Sequence, residues 1–125
     1  MIRCAALVFI FVGFSSGQQT IARDGRFWRS SSHDARLGFI HGYADGLTNG
    51  MASFTTEEKD IENRFRAAWP DITNAELEES ITRFYDAPEN RPFMVYVAIT
   101  AITMKSKGTP QARIDSFLDH LRQQK

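Results

Sequence analysis

Beyond an apolar N-terminal run, the chain alternates between two kinds of segment. In one kind, apolar residues recur three and four positions apart; the other kind is short polar punctuation. The first pattern marks amphipathic helices, each with one face on a core. Projected at about 100° per residue, Leu37, Ile40, Ala44, Leu47 and Met51 share one face, flanked by Tyr43 and Phe54. Ser31 or Ser32 can N-cap this helix, and Asp34 sits where the positive helix end favours an anion. The spacing predicts a helix over 33–53, central in the fold because both its broad faces look able to pack. Phe27 and Trp28 just ahead can fold back as a clamp on its first turn. Arg36 projects beside Tyr43 and Leu47, which calls for a carboxylate partner from another helix.

Thr55 and Glu58 form a capping-box pattern, predicting a second helix over 56–68 that uses Ile61, Phe65 and Ala68. Trp69-Pro70 ends it. Thr73 and Glu76 repeat the box and open a helix over 74–86, with Leu77, Ile81, Phe84 and Tyr85 on one face. Residues 87–92 are a turn with two prolines, where Asn90 can cap. Phe93 to Met104 is the most apolar stretch of this part of the chain and is rich in β-branched residues. It is long for one strand and has no partner strand, so it reads as a buried helix over 92–106. Lys105, Lys107, Gly108 and Pro110 stop it, and Thr109-Pro110 supplies an N-cap and a proline at N1. The last helix, 110–123, carries Ile114, Phe117, Leu118 and Leu121. The expected fold is all-α: one small bundle of four to five helices over 25–125.

Glycines stand at strict four-residue spacing in the first long helix: Gly38, Gly42, Gly46 and Gly50. Each costs a helix about 1 kcal/mol against alanine. The expected compensation is packing against another backbone, which a stripe without side chains admits closely. A homodimer through the stripe is an alternative form of the same expectation.

Arg3 followed by the run Ala5 to Phe14 and then Ser15-Ser16-Gly17 reads as a cleavable leader over 1–17. The run is short of the roughly 20 apolar residues a membrane span needs, so no stable membrane anchor is expected. Residues 18–24 read as a flexible lead-in. The expected location is periplasmic or secreted. The one cysteine, Cys4, lies in the leader, so the exported chain would lack disulfides and depend on its apolar core. Basic and acidic residues balance at 15 each, which argues against a nucleic-acid partner.

Candidate chemistry is sparse. Asp34, His41 and Asp45 share a narrow polar strip and are the only metal-ligand candidates, with no His-x-x-x-His or Glu-x-x-His pattern beside them. No metal or cofactor is expected. The paired glutamates Glu57-Glu58 and Glu78-Glu79 sit adjacent on helices, not across a cleft. No nucleophile motif or phosphate loop occurs, and no catalytic residue is assigned. Glu89, Asn90 and Arg91, in the most individual surface turn, are candidate partner contacts.

The blocks Gly25-x-x-Trp28, Phe39-Ile40-x-Gly42-Tyr43-x-Asp45-Gly46, Phe84-Tyr85-x-x-Pro88-x-Asn90 and Lys107-Gly108 resemble a group of short exported bacterial proteins without known function. Phe39 to Asp45, Thr73 to Leu77 and Pro88-Glu89 are also similar to the Rap and Tai families, periplasmic immunity proteins of type VI secretion systems. Those families usually carry disulfide cysteines, which this chain lacks after the leader. The resemblance implies a small helical protein that caps or inhibits a protein partner. The functional expectation is therefore a non-enzymatic binding module. The alternative is a small periplasmic enzyme or metal protein using His41 and Asp45.

Overall fold

The computed structural model describes residues 22–124. The leader, Cys4 and most of the lead-in lie outside the described residues. Six helices follow in order: α1 (Gly25–Ser30), α2 (His33–Ala52), α3 (Glu58–Ala68), α4 (Asn74–Phe84), α5 (Val95–Ser106) and α6 (Gln111–Gln123), with a 3-10 turn at Pro88–Asn90. Among the described residues there is no strand, only an isolated bridge between Asp24 and Met94. The expected all-α class is the observed one. The additional helix is α1, which carries Phe27 and Trp28.

Local chemistry explains the boundaries. Asp24 N-caps α1, its carboxylate accepting from the Arg26 and Phe27 amides at 2.9 and 3.2 Å. The Arg23 carbonyl accepts from the Val95 amide at 2.8 Å. Arg23 and Asp24 thus belong to the fold and not to a flexible lead-in. Ser32 caps α2 through the Ala35 amide. Thr73 and Glu76 form the complete capping box that opens α4. Two expected caps differ. Thr55 accepts from the Glu57 amide instead, a local turn that moves the start of α3 to Glu58. Pro110 stands at the N-cap of α6, not at N1. Thr109 is taken up by the end of α5: its amide donates to the Met104 carbonyl while the Gly108 amide donates to Lys105. Gly108 has φ +79°. Together these form a Schellman motif, in which the left-handed residue turns the last amides back onto the orphan carbonyls.

The core is organised around α5. Val95, Ala98 and Ile99 join Trp28, Ile40, Trp69, Leu77, Ile81 and Tyr85 in one buried cluster. Val97 and Ala101 join Phe93, Ile114 and Leu118 in a second. Phe84 packs against both clusters. α5 therefore packs on α4 and α6, whereas α2 lies outside and rests on α3 and α4. The expectation that α2 is central is corrected: Ile40 is its only fully buried residue. Ile40, Ala44 and Leu47 pack on the core as projected, with Tyr43 and also Phe39 beside them, but no described residue covers its glycines.

Two contacts fasten the N-terminal segment. Arg36 donates to Glu78 at 3.0 Å and to the Trp28 carbonyl at 2.9 Å, and its guanidinium lies 5.7 Å from the Trp28 ring centre. Glu78 is only 8 % exposed, so a cation beside it is needed to offset desolvation of its carboxylate. This is the carboxylate partner that Arg36 was expected to have. The Trp28 indole donates to Thr82 at 3.0 Å, so α1, α2 and α4 meet at one knot. The second contact is at Gly25, whose amide donates to the Arg91 carbonyl at 3.0 Å. A Cβ there would stand 2.6 Å from Tyr85 Cδ1 and 2.9 Å from the Arg91 backbone. Tyr85 is fully buried and its hydroxyl donates to the Phe93 carbonyl. Burial pushes the Tyr85 hydroxyl pKa far up, with the nearby Asp24 adding to it.

Candidate functional site: an open groove over the glycine stripe

No described atom outside α2 lies within 4 Å of a Cβ built at Gly38, Gly42, Gly46 or Gly50. The packing expected at Gly38, Gly42 and Gly46 is therefore not supplied by any described residue. The glycine that meets a neighbouring backbone is Gly25. Along α2, the glycines instead form one shoulder of a groove of about 690 Å³ whose other side is the start of α5, with Met94, Val95 and Tyr96. Phe39, Tyr43 and Leu47 line it between these two sides, and Arg23 stands at the Phe39 end.

The aromatic lining belongs to a continuous ladder. Phe27 and Trp28 meet Phe39 edge-on, with centroids 5.9 and 6.2 Å apart. Phe39 stacks on Tyr43, Tyr43 on Trp69, and Trp69 on Phe65, at 6.2, 6.2 and 5.4 Å. Stacked rings backed by a buried tryptophan hold their rotamers, so the groove wall is preformed. Burial raises the Tyr43 hydroxyl pKa, and Tyr96 across the groove adds to the rise. The Arg23 guanidinium lies 5.5 Å from the Phe39 ring centre. It has no carboxylate partner among the described residues.

Only two large apolar side chains stand out among the described residues. Tyr96, 52 % exposed, lines the groove, and Phe54, 87 % exposed, sits in the turn that ends α2. Phe54 is not part of the groove lining, so Tyr96 is the exposed large side chain that marks this concavity as a binding surface. A second hollow of about 670 Å³ lies between α4, α5 and α6. On its rim Arg83 and Arg122 are paired with Glu79 and Asp119, whereas Lys105 has no ion pair among the described residues and Arg122 Nε is buried without a hydrogen-bond partner.

The other candidates from the sequence fall elsewhere. Asp34, His41 and Asp45 are exposed along one edge of α2, outside the groove. Among the described residues no group of three or more His, Cys, Asp or Glu is placed to hold a metal ion. Asn90 is engaged inside the fold, donating to the Phe84 carbonyl at 2.9 Å and accepting from Arg122 at 2.9 Å. The first bond caps α4, as expected of it. Arg91 gives its carbonyl to Gly25 and its Nε to the Tyr85 carbonyl. Glu89 alone of that trio is exposed.

Arg23, Met94 and Tyr96 were not singled out from the sequence. A signal existed for Tyr96, an aromatic with a polar tip inside an otherwise apolar helix. None existed for Arg23, because only the Asp24–Met94 bridge brings it to α5. No helix among the described residues is long and apolar enough to cross a membrane. Compared with family models, with curated proteins and with solved structures, the chain matches none.

Proposed function

We propose that this chain is an exported, non-enzymatic binding protein that takes a protein partner into the groove between α2 and the start of α5, capping or inhibiting it. One observation carries the reading: a stripe of glycines, each costly to its helix, gains no contact from the described fold. The three that line the groove, Gly38, Gly42 and Gly46, represent roughly 3 kcal/mol of helix propensity forgone. A partner backbone that needs the absent side chains is the compensation that remains. The preformed aromatic wall supplies apolar contact area, and rigid aromatics are favoured anchors in interfaces. The immunity-family resemblance agrees with a partner-capping role. Export rests on the leader pattern at 1–17. His41 and Asp45 lie exposed and outside the groove, so nothing favours a site built on them.

A photo-crosslinking amino acid placed at position 42 or 96, with position 115 on α6 as the distant control, tests this in the native host. The expected result is one discrete heterologous adduct from positions 42 and 96 and none from 115. An adduct of twice the protein's own mass would replace the reading with a homodimer. Equal, diffuse labelling from all three positions would remove it.

A further inference from the structure

Resting on that reading, we infer that the occupant of the groove is an amphipathic helix that carries large apolar side chains along one stripe and a carboxylate at the end facing Arg23. The groove accompanies α2 from Gly38 to Leu47, about 13 Å at 1.5 Å per residue. That length suits two to three turns of an incoming helix, which is about the number of i, i+4 positions the glycine shoulder can seat. The space beside Phe39, Tyr43 and Tyr96 has to be filled by side chains from the occupant. From the same face a second copy offers one exposed large side chain, Tyr96. The outward residues of its α2, among them Ala35, Gly38, Gly42 and Asn49, are exposed and none is bulky and apolar. Two stripes laid together would leave the space beside Phe39 and Tyr43 to Tyr96 alone, so a different sequence fits better.

The charge at the groove end sets the polarity of that sequence. The Arg23 guanidinium is held over the Phe39 ring without an ion pair among the described residues. Its backbone is fixed by the Val95 amide and its neighbour by the Asp24–Met94 bridge. An arginine placed this way has donors left for a carboxylate, and the ring contact restricts the entropy lost on pairing. A lysine or arginine at the same place on the occupant would face a fixed like charge.

Synthetic helical peptides with leucines at i, i+4 spacing, and either glutamate or lysine at both ends, test the inference by fluorescence anisotropy. The glutamate peptide is expected to bind the wild type about five-fold tighter at low ionic strength, with the preference fading in high salt. Arg23→Glu is expected to invert the order. Equal affinities, an order unchanged by Arg23→Glu, or no saturable binding by either peptide would overturn it. Gly42→Leu, which enters open space and should leave the circular dichroism unchanged, separates the two levels. If Gly42→Leu binds both peptides as the wild type does, the groove itself is not the site. If it abolishes binding but charge has no effect, only the acidic end is lost. A concentration-dependent dimer of the peptide-free protein, absent in Gly42→Leu, would put a second copy in the groove and refute the inference.

Discussion

Replacing Gly42 by alanine should raise the melting temperature, while the same change at Gly25 should lower it. At Gly42 the added methyl meets no described atom within 4 Å. The change then acts only through helix propensity, a gain of up to about 1 kcal/mol. For a domain of this size that corresponds to a rise of about 4 to 8 °C. At Gly25 the methyl would stand 2.6 Å from Tyr85 Cδ1 and 2.9 Å from backbone atoms of Arg91. Neither neighbour can yield cheaply. Tyr85 is fully buried and tethered through its hydroxyl to the Phe93 carbonyl, and the Arg91 carbonyl already accepts the Gly25 amide. Overpacking of this kind costs about 1 to 3 kcal/mol, which outweighs any gain in propensity. Thermal and urea unfolding of both variants, followed by circular dichroism, measures the two signs. A lower melting point for Gly42→Ala would mean that something covers the stripe in the isolated protein, and a neutral Gly25→Ala would mean that the α1 contact is loose. Either result would refute the reasoning.

The Arg36–Glu78 pair should behave as a unit. Arg36→Met alone is expected to cost about 3 kcal/mol by taking the guanidinium from the buried Glu78 carboxylate and leaving only the His33 ring, 3.6 Å away, beside it, while Arg36→Met combined with Glu78→Leu should cost much less than the two singles added; a double-mutant cycle in urea measures the coupling, and additivity would contradict the knot. Glu76 should titrate below the usual carboxylate range, because the Thr73 amide and then its hydroxyl bond its charged form. Its folded pKa is depressed, so its contribution to stability is present above the ordinary glutamate value and is lost as pH falls through the lowered one. Carboxyl NMR titration checks this, and Thr73→Ala, which removes the hydroxyl but keeps the amide, should move Glu76 only part of the way back toward the ordinary range.

Much of the helical architecture was legible in the sequence because helix signals are local. The apolar faces of α4 and α6, the Thr73 box, the Ser32 cap and the stop at Gly108 all depend on residues within a few positions of one another. Arg36 was legible for a different reason: a cation projecting onto an apolar face has few solutions, and a carboxylate on another helix is the commonest. The misplaced caps at Thr55 and Thr109 are local, and the larger misplacements are tertiary. α2 looked central because glycine and apolar residues alike read as able to pack, and spacing cannot tell a face that is covered from one left open. Gly25 looked unremarkable because its close neighbours, Tyr85 and Arg91, are some 60 residues away in the chain. Thr109 pointed to an N-cap, yet the Schellman turn of the preceding helix claimed its amide first. The groove was half legible. Its glycine shoulder stood out, whereas Met94, Tyr96 and Arg23 come together only through the bridge between Asp24 and Met94.

The most direct measurement is the thiol reactivity of Gly42→Cys in a Cys4→Ser background, where the introduced thiol is the only one in the chain. Phe54→Cys gives the exposed reference and Ala98→Cys the buried one. If the groove stands open and awaits a partner, Gly42→Cys reacts with a bulky maleimide at a rate close to that of Phe54→Cys. It also becomes protected when the glutamate-ended peptide is added. Reaction of the isolated protein as slow as that of Ala98→Cys would show the stripe already covered and would contradict the open groove.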